Sequence, residues 1–202
     1  MIPLPFTAED IEYVSREFVL LDDLCTGEGR DASLVRRDIA RRLLPHPCYV
    51  LPNGGEMVPA DYFALADAAG GPEHLREEFL HRLTAASLAD RVSVDPDEEW
   101  DGYLSGEYGV CLREIAPETI VRKGKLMARI EQLVDNPQRD DTTWASSLRT
   151  AVNELDDLER PFAPHYDLLR FGSPSSRSRL IDATRSRFPH VFDRTRSATL
   201  VR

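Results

Sequence analysis

Residues 18–63 contain the three stretches that decide the fold: FVLLDDLC at 18–25, TGEGRDASLVRRDIARRLLP at 26–45 and YVLPNGGEMVPADYF at 49–63. Two short segments with helical spacing of apolar residues, separated by a glycine-containing turn, predict two consecutive helices. The residues PNGG at 52–55 lie between two short apolar runs and predict a β-hairpin. This order of helix, turn, helix and hairpin predicts a winged helix-turn-helix.

Capping residues and prolines indicate where the helices of this part begin and end. Ser33 is the predicted N-cap of the second helix, residues 34–44, because its hydroxyl can accept a backbone N–H of the first turn. Pro45 ends this helix, since proline disfavours the helical conformation of the residue before it. Further helices are predicted over 7–18 and 59–69. Residues 1–71 are therefore expected to form a winged helix-turn-helix-like domain.

The remaining residues, 72–202, predict a helical domain packed against the first one. Helical periodicity and proline signals predict helices over 116–134 and 143–160, joined by a short polar loop as an antiparallel hairpin. A last helix is predicted over 176–188, with Leu180, Ile181 and Ala183 on its buried side. The chain is thus predicted to be mainly α, with one small β-hairpin and a helical bundle.

Charge is distributed unevenly along the chain. The 202 residues carry a formal net charge of −10, yet residues 170–202 contain eight arginines against two aspartates, a balance of +6. The acidic body repels a phosphate backbone, while the basic C-terminal segment can fold back on it or reach an anionic partner. The residues Asp156, Asp157 and Glu159 are predicted to lie on a solvated helix face.

Other sequence features indicate which classes of protein this chain does not resemble. No apolar run approaches the ~20 residues that a membrane span needs, and the N-terminus lacks the pattern of a signal peptide. We therefore expect a cytoplasmic protein without a membrane partner. The three cysteines are widely spaced, which predicts buried free thiols. His46 and Cys48 lack a second ligand pair at zinc-like spacing, so neither a metal nor a cofactor is predicted.

The N-terminal quarter resembles the DNA-binding module of MerR-type and excisionase-type regulators. The resemblance rests on LDDL at 21–24, VRR at 35–37, LLP at 43–45 and DY at 61–62. It implies that the second helix enters the major groove of DNA, with Arg36, Arg37 and Arg41 among its contacts. The hairpin tip departs from that pattern, because residues 52–56 contain no basic side chain to neutralise phosphate.

Over its full length the chain resembles an uncharacterised family of actinomycete proteins of about the same size. The stretches that carry this resemblance are YVLPNGGEMVPADYFALADAAGG at 49–71, WDGYLSGEYGVCLREIAPE at 100–118, LDDLERPFAP at 155–164 and RFGSPSSRSRLIDA at 170–183. Members of that family are associated with natural-product biosynthetic gene clusters. The resemblance therefore implies a role in specialised metabolism and brings no catalytic residue with it.

The segment WDGYLSGEYGVCLR, residues 100–113, is the best candidate for a ligand site. Trp100, Tyr103 and Tyr108 have flat apolar faces with polar tips that suit an aromatic small molecule, and Arg113 ends the segment. Cys111 and Tyr108 are the catalytic candidates, and the thiolate of Cys111 would need a partner such as a histidine. In the alternative interpretation these residues fill the core between the two halves.

A second candidate is an anion site at the start of the last predicted helix. The sequence GSPSSRSR at 172–179 places hydroxyls and arginines at a helix N-terminus, with Ser176, Arg177 and Arg179 as the binding residues. In the alternative interpretation Ser176 is a simple N-cap on an exposed basic helix. The sequence lacks the Gly-Lys-Ser/Thr of a phosphate-binding P-loop.

Together these patterns favour an accessory or tailoring protein of natural-product biosynthesis that binds a small-molecule intermediate or a partner enzyme. A MerR-like DNA-binding regulator of a biosynthetic cluster and a protein–protein adaptor are the alternatives. Nucleic acid is the less favoured partner because the body of the chain is acidic. A homodimer is compatible with each interpretation, and the sequence specifies no reaction.

Overall fold

The computed structural model describes residues 5–192, which are mainly helical with one small sheet. The helices are α1 (Ala8–Glu17), α2 (Leu21–Gly27), α3 (Ala32–Ala40), α4 (Ala64–Ala68), α5 (Leu75–Asp90), α6 (Pro96–Leu104), α7 (Glu107–Cys111), α8 (Pro117–Asp135), α9 (Thr142–Leu158), α10 (Tyr166–Phe171), α11 (Ala183–Arg187) and α12 (Pro189–Phe192). The strands are β1 (Val19–Leu20), β2 (Tyr49–Val50) and β3 (Glu56–Val58). A 3-10 turn at Pro72–His74 precedes α5, and a π-helical segment at Arg177–Asp182 precedes α11.

The predicted helix, turn, helix and hairpin follow one another in this order. The boundaries of the second helix, α3, differ from the prediction at both ends. Its N-cap is Asp31 rather than Ser33, and the Asp31 carboxylate accepts the backbone N–H of Ser33 at 2.8 Å. The helix ends at Ala40 instead of residue 44, because Arg42 adopts a left-handed conformation with φ of 59°. The N–H groups of Arg42 and the next residue then bond back to α3 in a Schellman motif.

The hairpin belongs to a three-stranded antiparallel sheet with the order β1-β3-β2. Leu20 on β1 and Tyr49 on β2 both lie opposite Met57 on the central strand. Strand β1 was not predicted from the sequence, since two residues that run directly into α2 are too short to show the alternation typical of strands.

The segment after the hairpin also differs from its predicted helix over 59–69. Its first residues form a turn, in which Tyr62 N–H donates to the Pro59 carbonyl at 3.1 Å, and helix α4 begins only at Ala64. The Tyr62 hydroxyl donates to the carbonyl of Pro45 at 2.5 Å and thereby ties this turn to the chain after α3. A continuous helix would move that hydroxyl away from its acceptor.

Helices α8 and α9 form the predicted antiparallel hairpin and pack against α5 and the C-terminal segments. The Trp144 indole donates to the carbonyl of Leu133 at 3.0 Å and fixes one helix of the hairpin against the other. In the last predicted helix Leu180 and Ile181 are buried as expected. Ala183 is exposed, however, and Thr184 takes the buried position, because the π-helical turn before it shifts the periodicity by one residue.

The largest apolar cluster crosses the predicted boundary between residues 71 and 72. It joins Leu21 and Ile39 of α2 and α3 to Phe79, Trp100 and Val121 of α5, α6 and α8. A second cluster lies between α8, α9 and residues 180–191, and a third lies between α1, the sheet and residues around 163. Within residues 5–192 the largest cluster therefore contains residues from both halves of the chain.

Arg160, which follows α9, connects the N-terminal elements to the segment after α7. Its guanidinium donates to the carbonyls of Leu112 at 2.9 Å, Arg113 at 3.0 Å and Glu17 at 3.3 Å. The same group lies 5.3 Å from the centroid of the Phe18 ring. One side chain thus joins the end of α1 to the segment that follows α7.

Candidate functional site

Residues 100–113 form α6 and α7, joined at Gly106, which has a left-handed φ of 80°. A Cβ at Gly106 would lie 2.5 Å from the carbonyl oxygen of His46. A Cβ at Gly109 would overlap with the Cys48 sulfur. These glycines therefore permit close approach of another segment, and what approaches them is the chain after α3 rather than a ligand.

The two helices divide the aromatic residues between different surroundings. Trp100 and Tyr103, which are 7% and 3% exposed, pack on Phe79 in the main core, with ring centroids 5.1–5.4 Å apart. Neither ring lines the cavity that Tyr108 and Cys111 line, so the role of Trp100 and Tyr103 in binding stays a prediction. Arg113 is exposed, and its backbone accepts the Arg160 guanidinium, so that it lies outside the cavity as well.

Tyr108 and Cys111 of α7 do line a cavity, with a volume of about 270 Å³. Its walls come from three distant parts of the chain: α7, the middle of α8 and the loops on either side of α10. The lining residues are Glu107, Tyr108, Cys111, Lys123, Phe162, Phe171, Ser173, Pro174, Ser175 and Ser176. Aromatic walls with a few polar groups are typical of small-molecule sites.

The polar wall is a cluster built around Lys123 and Glu159. The Lys123 ammonium lies 3.1 Å from Glu159 Oε1, and the two side chains are 12% and 0% exposed. The Ser176 hydroxyl donates to the same carboxylate oxygen. The prediction that Glu159 lies on a solvated helix face is therefore wrong. Its second carboxylate oxygen, Oε2, is buried with no hydrogen-bond partner among the described residues.

Glu159 and Ser176 are held in place by the ends of their own helices. Glu159 is the C-cap residue of α9 and bridges to Leu112 in a short antiparallel contact. Ser176 directly precedes the π-helical segment, and no backbone N–H donates to its side chain there. The predicted N-cap role of Ser176 is therefore replaced by its bond to Glu159. Irregular turns of this kind are frequent next to functional sites.

The thiol of Cys111 contacts this cluster from the other side. It lies within hydrogen-bonding reach of the Lys123 ammonium, and its S–H donates to the Tyr108 carbonyl at 3.6 Å. Burial raises the pKa of the Cys111 thiol more than the neighbouring ammonium lowers it. Burial also lowers the pKa of Lys123, yet the charges around it outweigh burial and raise that pKa. The cluster thus combines the Cys111 thiol with the ion pair of Lys123 and Glu159.

The other catalytic candidate, Tyr108, donates its hydroxyl hydrogen to Glu99. Burial, followed by this hydrogen bond, raises the pKa of Tyr108 well above its usual value. The described residues that line the cavity include no histidine to partner Cys111, and His165 lies beside Asp10, with 3.9 Å between its Nδ1 and the Asp10 carboxylate. The arrangement therefore favours binding through neutral hydroxyl and thiol groups rather than an activated cysteine nucleophile.

All three residues predicted to bind an anion are engaged by carboxylates. Arg177 donates to Asp156, and Arg179 lies 2.6 Å from Glu131. Because each guanidinium already has a carboxylate partner, residues 172–179 do not present the cluster of free arginines that an anion site needs. Ser176 remains at the site through its bond to Glu159.

The arginines proposed for DNA contact lie on the exposed side of α3, and two of them are paired. Arg36 donates to Asp22 and to Glu56, both at 2.7 Å. Arg41 lies 3.8 Å from Asp38, while Arg37 is exposed. The pairing residues come from α2, α3 and the hairpin itself, so the acidic side chains belong to the same surface that would face a phosphate backbone.

Sequence reasoning missed Lys123 and misplaced Glu159. Lys123 is in a strongly charged stretch of α8, VRKGK at 121–125, where a lysine ordinarily points to solvent. Its burial follows from the packing of residues 159 and 176, which are remote in sequence. The one signal in the sequence is residue type, since Lys123 and Lys125 are the two lysines in a chain whose other basic residues are arginines.

The chain defined by this geometry is a mainly helical protein with a buried ammonium–carboxylate pair beside a small cavity. It belongs to the family of unknown function DUF6058, which matches residues 72–189, more than half of the chain. Comparison with curated proteins and with solved structures gives no match. Within residues 5–192, no helix combines the length and apolar character needed to cross a membrane.

Proposed function

We propose that this protein binds a small organic molecule in the cavity between α7, α8 and the loop at 172–176. The observation that carries the proposal is the convergence of Tyr108, Cys111 and Lys123 on one space of about 270 Å³. A volume of that order suits a single-ring compound. Buried polar groups beside such a space provide orientation, while the aromatic walls provide most of the binding energy.

We further propose that the bound molecule is an intermediate of specialised metabolism, handled by the chain as an accessory or tailoring protein. The resemblance described for residues 49–71, 100–118, 155–164 and 170–183 supports this context. Tyr108 and Cys111 belong to the second of those stretches, and Ser173 to Ser176 belong to the fourth. Phe162 belongs to the third stretch, so three of the four resembling stretches contribute directly to the cavity wall.

Closing the cavity tests this function. Ser173 is exposed and lines the cavity, so Ser173→Trp should fill the space without disturbing the core. Ser186→Trp, on the exposed side of α11 and outside the cavity, is the matched control. In a host that makes the product, Ser173→Trp should abolish product formation, whereas the control should retain it. Equal titres for both folded variants would disprove the assigned site.

The second candidate function is a DNA-binding regulator, and the element order α1-β1-α2-α3-β2-β3 favours it. The paired arginines weigh against it, because Arg36 must leave Asp22 and Glu56 before it can neutralise a phosphate. If DNA is the partner, binding to promoter fragments should fall steeply with salt and disappear in Arg36→Ala/Arg37→Ala. A wild-type protein that shifts no promoter DNA at low salt would remove this candidate.

The third candidate function, a protein–protein adaptor, is favoured by an open groove of about 790 Å³ along the outer side of α8 and α9. Small side chains of α9, among them Ser147 and Thr150, form one side of this groove and leave room for a partner helix. An adaptor should co-purify with an enzyme of the same gene cluster. Ser147→Arg/Thr150→Arg should abolish that co-purification and leave the cavity unchanged.

A further inference from the structure

We infer that the cavity selects neutral aromatic molecules carrying a carbonyl oxygen and rejects carboxylates of the same shape. This inference rests on the proposed function, since it specifies the chemical class of the molecule that binds there. It follows from which charges of the cavity wall are paired with one another and which hydrogen-bonding groups are still free to contact a ligand.

The charge of the wall is balanced before any ligand enters. Among the described residues that line the cavity, Lys123 is the one cation, and Glu159 at 3.1 Å offsets its charge. The nearby guanidinium of Arg170 donates to the Cys48 carbonyl at 2.6 Å and interacts with the buried carboxylate of Asp167. A carboxylate entering this space would lose its hydration without gaining an uncompensated positive charge, which is unfavourable.

Among the described residues that line the cavity, Glu107 is the one with a negative charge, and it is exposed to solvent on the first turn of α7. Water and salt screen a charge in that position far more than one that is buried. Its effect on a ligand is therefore small and has the same sign, since it too repels an anion. The buried pair of Lys123 and Glu159 thus sets the preference of the cavity.

The hydrogen-bonding groups define what a neutral ligand must offer. Lys123 has three N–H donors, and the carboxylate of Glu159 and the sulfur of Cys111 leave one for a ligand acceptor such as a carbonyl. The hydroxyl hydrogens of Tyr108 and Ser176 are already donated to glutamates. Both hydroxyl oxygens can still accept a bond, so a ligand with one carbonyl and one hydroxyl matches the wall.

A matched pair of probes separates charge from shape: 4-hydroxybenzamide and 4-hydroxybenzoate have the same ring, hydroxyl and planar head group. Affinities are measured by calorimetry on the full chain at neutral pH, where the benzoate is ionised. The wild type should bind the amide at least about tenfold more tightly than the carboxylate. Ser173→Trp should abolish binding of both, which places the measured binding in the cavity.

Glu159→Gln then tests the role of the buried pair. The glutamine keeps an acceptor for Ser176 and removes the charge that balances Lys123. This variant should bind 4-hydroxybenzoate about tenfold more tightly than the wild type does. In Lys123→Gln/Glu159→Gln, where both charges are absent, the preference for the amide should remain. Circular dichroism and a thermal melt establish that each variant is folded.

The outcomes separate this inference from the function on which it rests. If the wild type binds both probes equally, or binds the carboxylate more tightly, the inference is wrong and small-molecule binding in the cavity stands. If the wild type binds neither probe, or if Ser173→Trp binds as the wild type does, the proposed function of the cavity fails. An unchanged affinity of Glu159→Gln for 4-hydroxybenzoate would also overturn the inference.

Discussion

Arg36 and Lys123 are both paired with carboxylates, and they lie in opposite surroundings. Arg36 donates to Asp22 and Glu56 on an exposed surface, where its own side chain is 42% exposed. Lys123 meets Glu159 where the two side chains are 12% and 0% exposed. When Arg36 separates from its carboxylates, water solvates both charges. When Lys123 and Glu159 separate, burial keeps water from compensating either charge. Separating the exposed ion pairs of Arg36 therefore costs little free energy, whereas separating Lys123 from Glu159 costs much more.

The largest expected effect comes from breaking the buried pair. Lys123→Met preserves much of the side-chain volume and leaves the Glu159 carboxylate without its cation. We expect the free energy of unfolding to fall by about 3–5 kcal/mol, because an uncompensated buried charge is costly. Urea denaturation followed by circular dichroism measures this loss.

The double variant Lys123→Met/Glu159→Leu provides the control for that measurement. It removes both charges, and apolar replacements of a buried pair are often close to neutral in stability. Most of the lost stability should therefore return. If the single variant loses less than about 1 kcal/mol, the pair is solvated like the surface pairs and the contrast with Arg36 fails.

A smaller effect is expected at Asp10, a buried carboxylate whose donors are mainly backbone N–H groups. It accepts from Thr7, His165 and Tyr166 at 2.9–3.2 Å. Burial alone would raise the pKa of Asp10, but these hydrogen bonds lower that pKa below its usual value. Its stabilisation is then present above about pH 4 and is lost as the pH falls through the folded-state pKa. Asp10→Asn should cost about 1–2 kcal/mol at pH 7.

The pH dependence of stability distinguishes the loss of hydrogen bonds to the ionised Asp10 carboxylate from a simple loss of packing. The stability difference between the wild type and Asp10→Asn should shrink as the pH is lowered below about 4, measured by urea denaturation at each pH. Asp157→Asn, at an exposed position of α9, is the control and should show no such trend. A difference that stays constant between pH 7 and pH 3 would contradict the assigned role of Asp10.

The smallest effect is expected for the exposed arrangement. Arg36→Ala should change the free energy of unfolding by less than about 1 kcal/mol, since exposed ion pairs contribute little. The remaining difference should decrease further at high salt, which screens surface charges. Denaturation at low and high salt measures both quantities. A loss as large as that of Lys123→Met would show that the surface of α3 is not solvated in the way its exposure indicates.

The fold was predictable where local signals and tertiary packing agree. Apolar periodicity predicted the hairpin of α8 and α9, and proline and glycine signals placed β2 and β3. The errors lie where a distant contact decides the conformation. Helix α3 ends early where Arg42 takes a left-handed conformation, and the chain after it bonds to α6, since the N–H of His46 donates to the Leu104 carbonyl at 2.8 Å. No local pattern in residues 34–44 shows that contact.

The candidate site was predictable in part for the same reason. The spacing in WDGYLSGEYGVCLR indicated an unusual segment, and the structure places Tyr108 and Cys111 at the cavity. Trp100 and Tyr103 pack on Phe79 instead. The sequence could not show this difference, since these two residues lie in the same short stretch as Tyr108 and Cys111. The burial of Lys123 depends on residues 36 and 53 positions away along the chain.

The contacts of Arg160 cross the N-terminal boundary of the segment that the family model matches. The matched segment, residues 72–189, contains Arg160 but neither Glu17 nor Phe18, which receive its guanidinium. A polypeptide cut at that boundary would leave the guanidinium short of one acceptor and would expose the side of the main core that Leu21 and Ile39 cover. We therefore expect the stretch that unfolds cooperatively to be longer than the segment matched by the family model.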